Sequence, residues 1–201
     1  MAGVESLTHE IAAVAARLVV EDGLDYGSAK QRASKLTGAP KRTPLPDNDT
    51  VEAQVREYLA LFCADTQPAE LAALRRLALQ WMDRLQPFRP HVSGAVWNGT
   101  ATRLSDVWLQ LFCDDPKSAE IALIDQDIRY DVNAAAGFNG QVVDALSFGS
   151  YSPELNETIG IHLMIYDHID IRGALKARPG ADKPRGSRDD LAARMAAEAA
   201  S

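Results

Sequence analysis

The run Ser93-Gly94-Ala95-Val96-Trp97-Asn98-Gly99-Thr100-Ala101-Thr102-Arg103-Leu104-Ser105-Asp106-Val107-Trp108-Leu109 divides the chain into two textures. Upstream of it, apolar residues recur every three or four positions, the period of a helix with one buried side. Downstream they alternate, or cluster in short β-branched and aromatic runs, which is the pattern of strands. Within the run, a glycine ends a short apolar stretch, a second glycine stands five residues on, and an aspartate opens the next apolar stretch seven residues later. The expected fold class is α+β: an N-terminal helical region, then a small mixed β-sheet of about four or five strands with helices on it.

Working upstream, Leu7, Ile11, Val14 and Leu18 predict a helix that ends near Gly23, and Ala29, Ala33 and Leu36 mark a weaker one. Pro40, Pro44 and Pro46 then force a loop. Asp49-Thr50-Val51-Glu52 reads as a capping box before a stripe of Val51, Val55, Tyr58, Leu59 and Phe62. Thr66 and Pro68 open a further helix, striped by Leu71, Leu74, Ala78, Trp81 and Leu85 and stopped at Pro87.

Working downstream, strands are expected over 91–96 and 107–113, then a helix from Asp115-Pro116 to Ile124. Residues 128–132 and 142–148 read as a hairpin, and Ile159, Ile161, Leu163 and Ile165 as a last strand. Beyond Ala177 a Pro, Gly, Arg and Asp mixture runs into an Ala-rich end, expected to be a mobile or weakly helical tail. The predicted organisation is a helical region over 1–88, an α/β core over 89–175 and a flexible tail over 176–201.

With 201 residues, 46% of them hydrophobic, the chain has enough apolar surface for a packed core. Its formal charge of −7 argues against an extended nucleic-acid-binding surface. Two cysteines cannot build a disulfide scaffold or a four-thiolate zinc site. The opening residues lack a basic start, and Glu5, Glu10, Arg17 and Glu21 interrupt the apolar positions, so neither a signal peptide nor a membrane association is expected. The expected compartment is a cytoplasm of bacterial type, with Cys63 and Cys113 as inert, reduced thiols.

The quoted run resembles the signature of the nucleotidyltransferase superfamily that includes DNA polymerase β and the minimal nucleotidyltransferases. That signature is hydrophobic-Gly-Ser, a short helix with a second Gly and a small residue, then Ser-Asp-hydrophobic-Asp-hydrophobic. Gly94, Gly99 and Asp106 fall at its spacing, and Ala101 sits where the family often has a small residue. The resemblance covers residues 89–150 and implies a nucleotidyltransferase-like core that takes a nucleoside triphosphate with Mg²⁺. In that chemistry a glycine lets the backbone approach the triphosphate. Carboxylates on alternate strand positions, with a third from a neighbouring strand, hold two divalent ions for displacement at the α-phosphorus, releasing pyrophosphate.

On this chain the resemblance implies Gly94, Ala95 and Gly99 along the phosphates and Arg103 or Arg129 as positive charge. It implies Asp106 and Asp131 as catalytic residues, with Asp106, Asp131 and Asp144 as the candidate metal ligands. Two departures mark the site as degenerate. Ala95 stands for the family's serine and Trp108 for its second aspartate, which leaves Mg²⁺–nucleotide binding with weak or lost transfer. The alternative is a non-catalytic interaction module on the same scaffold, whose helical half takes a protein partner.

Outside the run, His162, His168 and Asp170 would share one face if the last strand reached that far, a second metal candidate against the simpler reading of polar strand residues. His91 is a candidate general base or a polar tip, and Asp114-Asp115 reads as a helix start. No phosphate-binding P-loop, Gly-x-Gly-x-x-Gly or Gly-x-Ser-x-Gly pattern occurs, which argues against P-loop ATPases, Rossmann dehydrogenases and α/β-hydrolases.

Overall fold

The computed structural model describes residues 2–176 and 182–200. The chain forms two compact units, Met1–Pro68 and Ala69–Ser201.

The first unit is built from α1 (Ala2–Asp22), α2 (Tyr26–Leu36) and α3 (Asn48–Phe62). Small residues let these helices come close: Ala12, Ala15, Ala16, Ala29 and Ala33 are buried together with Ile11, Val51, Val55 and Leu59. Asp25 caps α2 by accepting the Ser28 amide at 3.0 Å, and Asp47 caps α3 by accepting the Thr50 amide at 2.7 Å. The helix start expected at Asp49 therefore lies two residues earlier, at Asp47, whose carboxylate accepts the Thr50 amide while Asp49 is already in the first turn.

In the second unit α4 (Gln67–Arg84) leads into β1 (His91–Ser93), α5 (Gly94–Asn98), β2 (Val107–Cys113), α6 (Lys117–Ile124) and β3 (Asp131–Ala136). Then follow β4 (Val142–Ser152), β5 (Glu157–Asp167), α7 (Ile171–Ala174), β6 (Arg185–Ser187) and α8 (Arg188–Ala199). The strands make one mixed sheet in the order β3-β4-β5-β2-β1-β6, in which only β2 and β5 run parallel. The α+β class and the expected hairpin, now β3 and β4, are both present.

Two expectations are corrected. The helix expected within a 1–88 region belongs to the sheet unit, since Leu71, Leu74, Leu77, Ala78, Trp81 and Met82 of α4 bury themselves in its core. The segment expected to be a tail supplies an edge strand and a helix, although residues 177–181 lie outside the described part. α8 opens with a capping box between Ser187 and Asp190, buries Leu191, and lays Arg194 over the Trp97 ring at 3.9 Å. Gly186 meets the same indole so closely that a Cβ there would overlap it.

The period of two splits the sheet into faces. Val107, Leu109, Leu111, Leu146, Phe148, Ile161 and Leu163 point to the core, where residues of α4, α5, α6 and α8 cover them. The other face carries one row of cross-strand partners from edge to edge: Asp131, Ser147, His162, Trp108, Ser93 and Arg185. Among the described residues, helix and turn cover this second face at the end where Phe112, Met164, Tyr166 and Ala174 pack together with Phe138. Among the described residues no helix is long and apolar enough to cross a membrane.

Candidate functional site

β1 ends at Ser93, opposite Trp108 of β2, and Gly94 turns the chain out of the sheet with φ 66°. A side chain on Gly94 would meet nothing within 4 Å, so the bend faces open space. Gly99 closes α5 five residues later in the left-handed region, φ 85°, where its amide donates to the Ala95 carbonyl at 2.9 Å. The Ala95 carbonyl also accepts the amides of Thr100 and Ala101, so a short helix and its exit loop hang on one oxygen. Gly94 and Gly99 thus stand at opposite ends of α5, and a Cβ on Gly99 would stand 3.6 Å from Nη2 of the buried Arg75. Its work is helix termination.

Asp106 stands just before β2 at the same end of the sheet as Gly94, with its carboxylate on the second face. One oxygen accepts the Gly160 amide at 3.2 Å and the other meets His162 Nε2 at 3.0 Å. His162 Nδ1 in turn meets the Ser147 hydroxyl at 2.9 Å. Trp108 lies over the imidazole, with centroids 4.2 Å apart and planes 22° from parallel. The result is a Ser147–His162–Asp106 chain across β4, β5 and the start of β2. The His162 contact above all, with the Gly160 amide adding to it, holds the Asp106 carboxyl below its ordinary value against the opposing effect of partial burial.

The other expected ligands do not join Asp106. Asp131 opens the edge strand β3, and β4 and β5 lie between it and β2. Three strand spacings amount to about 14 Å, whereas two oxygens on one Mg²⁺ sit about 3–4 Å apart. Asp144 is an odd number of residues from Ser147 on β4, so it points to the opposite face, beside Lys117 of α6. Arg103 is ion-paired with Glu157, its amide donates to Glu70 at 3.0 Å, and Arg129 precedes the edge strand β3. Strand order and side-chain parity, which spacing alone does not contain, account for these separations.

A resident two-metal centre does not fit this donor set. Asp106 is a single carboxylate whose two oxygens already accept hydrogen bonds, and its neighbour on β5 is an imidazole. Among the described residues, no three His, Cys, Asp or Glu side chains gather in a way that could hold a metal ion.

The second metal candidate separates as well. β5 ends at Asp167, and His168 enters a 3₁₀ turn beyond it, where it pairs with Asp167 at 3.1 Å and Asp114 at 3.5 Å, away from His162 in the middle of the strand. His91 is buried edge-on to Phe112, its Nδ1 is 2.9 Å from the Arg89 carbonyl, and burial lowers its pKa. Burial pushes the Cys113 thiol up to about 11, in keeping with an inert residue.

No protein-family model, no curated protein and no solved structure matches the chain.

Proposed function

We propose that Ala69–Ser201 is a degenerate nucleotidyltransferase-like domain that binds a magnesium–nucleotide complex, with nucleotidyl transfer weak or lost. One observation carries this reading: the Gly94 bend and the Asp106 carboxylate belong to adjacent strands at one end of the sheet. Gly94 leaves open space where a side chain would stand, so a phosphate oxygen can reach the backbone. Asp106 offers one carboxylate to the ion that arrives with the triphosphate, which keeps its phosphate and water ligands. Trp108 occupies the position of the second carboxylate, and His162 lies beside Asp106 on the neighbouring strand. In-line transfer therefore lacks much of the charge stabilisation on which it depends.

A melting scan with the four ribonucleoside triphosphates in Mg²⁺ or Mn²⁺ tests this, read together with pyrophosphate release. Stabilisation by a nucleotide that is lost in Asp106→Ala and kept in Asp131→Ala and Asp144→Ala is the expected result. No response to any nucleotide, or equal losses in all three variants, contradicts it and favours the interaction-module alternative.

A second reading rests on the Ser147–His162–Asp106 chain. With Nε2–H held by Asp106, His162 Nδ1 can take the Ser147 proton and make Oγ a nucleophile. Labelling of Ser147 by a fluorophosphonate, abolished in His162→Ala, would support it; absence of labelling counts against it.

A further inference from the structure

The covered end of the second sheet face holds a cation without a counter-charge. Arg185 on β6 is 7% exposed. Its Nη1 donates to the Ala174 carbonyl and its guanidinium lies 4.8 Å from the Phe138 ring centroid, but its Nε has no hydrogen-bond partner. No carboxylate among the described residues pairs with it, and burial lowers its pKa with only Tyr166 opposing. The neighbouring His91 does not help: burial lowers its pKa, the Arg89 carbonyl and Asp190 oppose this, and the positive charges of Arg185 and Lys183 add to it.

Buried charges in proteins are paired, and a lone buried cation is expensive. A water molecule at Arg185 Nε would satisfy the hydrogen bond but leave the charge uncompensated. An anionic oxygen satisfies both. The planar guanidinium offers donors to a small oxyanion. We infer that Arg185, beside Phe138 and α7, forms a binding site for a small oxyanion, a phosphate or carboxylate group. Arg185 springs from the row of Ser93, but its guanidinium reaches Ala174 and Phe138 at the covered end, away from the Gly94 bend. Arg185 requires an anion whether or not a nucleotide sits at Gly94.

The full chain is titrated with inorganic phosphate and, separately, acetate at constant ionic strength, by thermal melting and calorimetry. At a probe concentration a hundredfold above its Kd, the melting temperature of the sheet unit is expected to rise by about 5–10 °C. Arg185→Met is expected to melt no lower than the unliganded wild type, because it replaces an unpaired buried charge with an apolar chain, and to show no response to the probe. Arg185→Lys keeps the charge without the planar fork and is expected to bind at least about tenfold more weakly. Asp106→Ala keeps the full phosphate or acetate response, which separates this site from the nucleotide reading. Whichever probe saturates, phosphate or acetate, identifies the group bound. The assignment is overturned if neither probe gives a saturable response in the wild type, or if Arg185→Met binds as well as the wild type. If Arg185→Met does not fold, undiminished binding by Arg185→Lys overturns it as well.

Discussion

Gly160 is the position at which the candidate site can be tested without touching any of its side chains. A Cβ there would stand 2.5 Å from Asp106 Oδ1 and 2.7 Å from its Cγ, far inside contact distance. The carboxylate is short and held by the Gly160 amide and His162, so it has to leave both partners to make room. Overpacking of this kind costs about 1–3 kcal/mol, and the lower backbone entropy of alanine in a strand returns about 0.5–1 kcal/mol. Gly160→Ala should therefore destabilise the sheet unit by about 1–2 kcal/mol, lowering its melting temperature by about 3–8 °C. Tryptophan fluorescence is the right probe, because Trp81, Trp97 and Trp108 all belong to Ala69–Ser201. The decisive comparison is a double-mutant cycle. In an Asp106→Ala background the obstructing carboxylate is absent, so Gly160→Ala should cost nothing or stabilise slightly. An equal penalty in both backgrounds would refute the contact on which the site is built.

Asp106 also sets a pH dependence. Its folded pKa lies below its ordinary 3.8, so the unfolded chain binds the proton more readily, and the resulting stability is present above that value and lost as pH falls through the folded one. The gap in urea midpoint between wild type and Asp106→Asn, followed by tryptophan fluorescence, should be open at neutral pH and close below pH 3.8; a gap independent of pH contradicts this. In the first unit, Tyr58 donates to the Glu21 carboxylate, which favours the neutral phenol and pushes its pKa up to about 12. That stabilisation is complete below the ordinary 10.0 and lost as pH rises towards 12, so an absorbance titration should contain a tyrosine step near pH 12 that Tyr58→Phe removes.

The fold class was legible because its signals are local. The alternation of Ile159, Ile161, Leu163 and Ile165 and the two runs of the β3–β4 hairpin carry the period of strands in themselves. The unit boundary was not, because the stripe on α4 looks like those on α1 and α3, and a stripe does not name what it packs against. The end of the chain was misread for a related reason: Arg185-Gly186-Ser187 has no apolar residue, and α8 is anchored by Leu191 and by Trp97, some ninety positions upstream. At the site, Asp106 could be read as the opening of β2. Its true neighbours, His162 and Ser147, come from strands whose adjacency only the sheet order reveals. Asp131 failed as a partner through strand order and Asp144 through parity, two properties that a residue spacing leaves undetermined.

The central claim is that the end of the sheet bearing Gly94 and Asp106 receives a nucleotide. Calorimetric titration of the intact chain with a magnesium–nucleoside triphosphate addresses it directly. Saturable one-to-one binding that weakens at least about tenfold, or about 1.4 kcal/mol, in Asp106→Ala while Asp144→Ala binds like the wild type is the predicted result. Absence of saturable heat with all four ribonucleotides, or binding indifferent to Asp106, would contradict it.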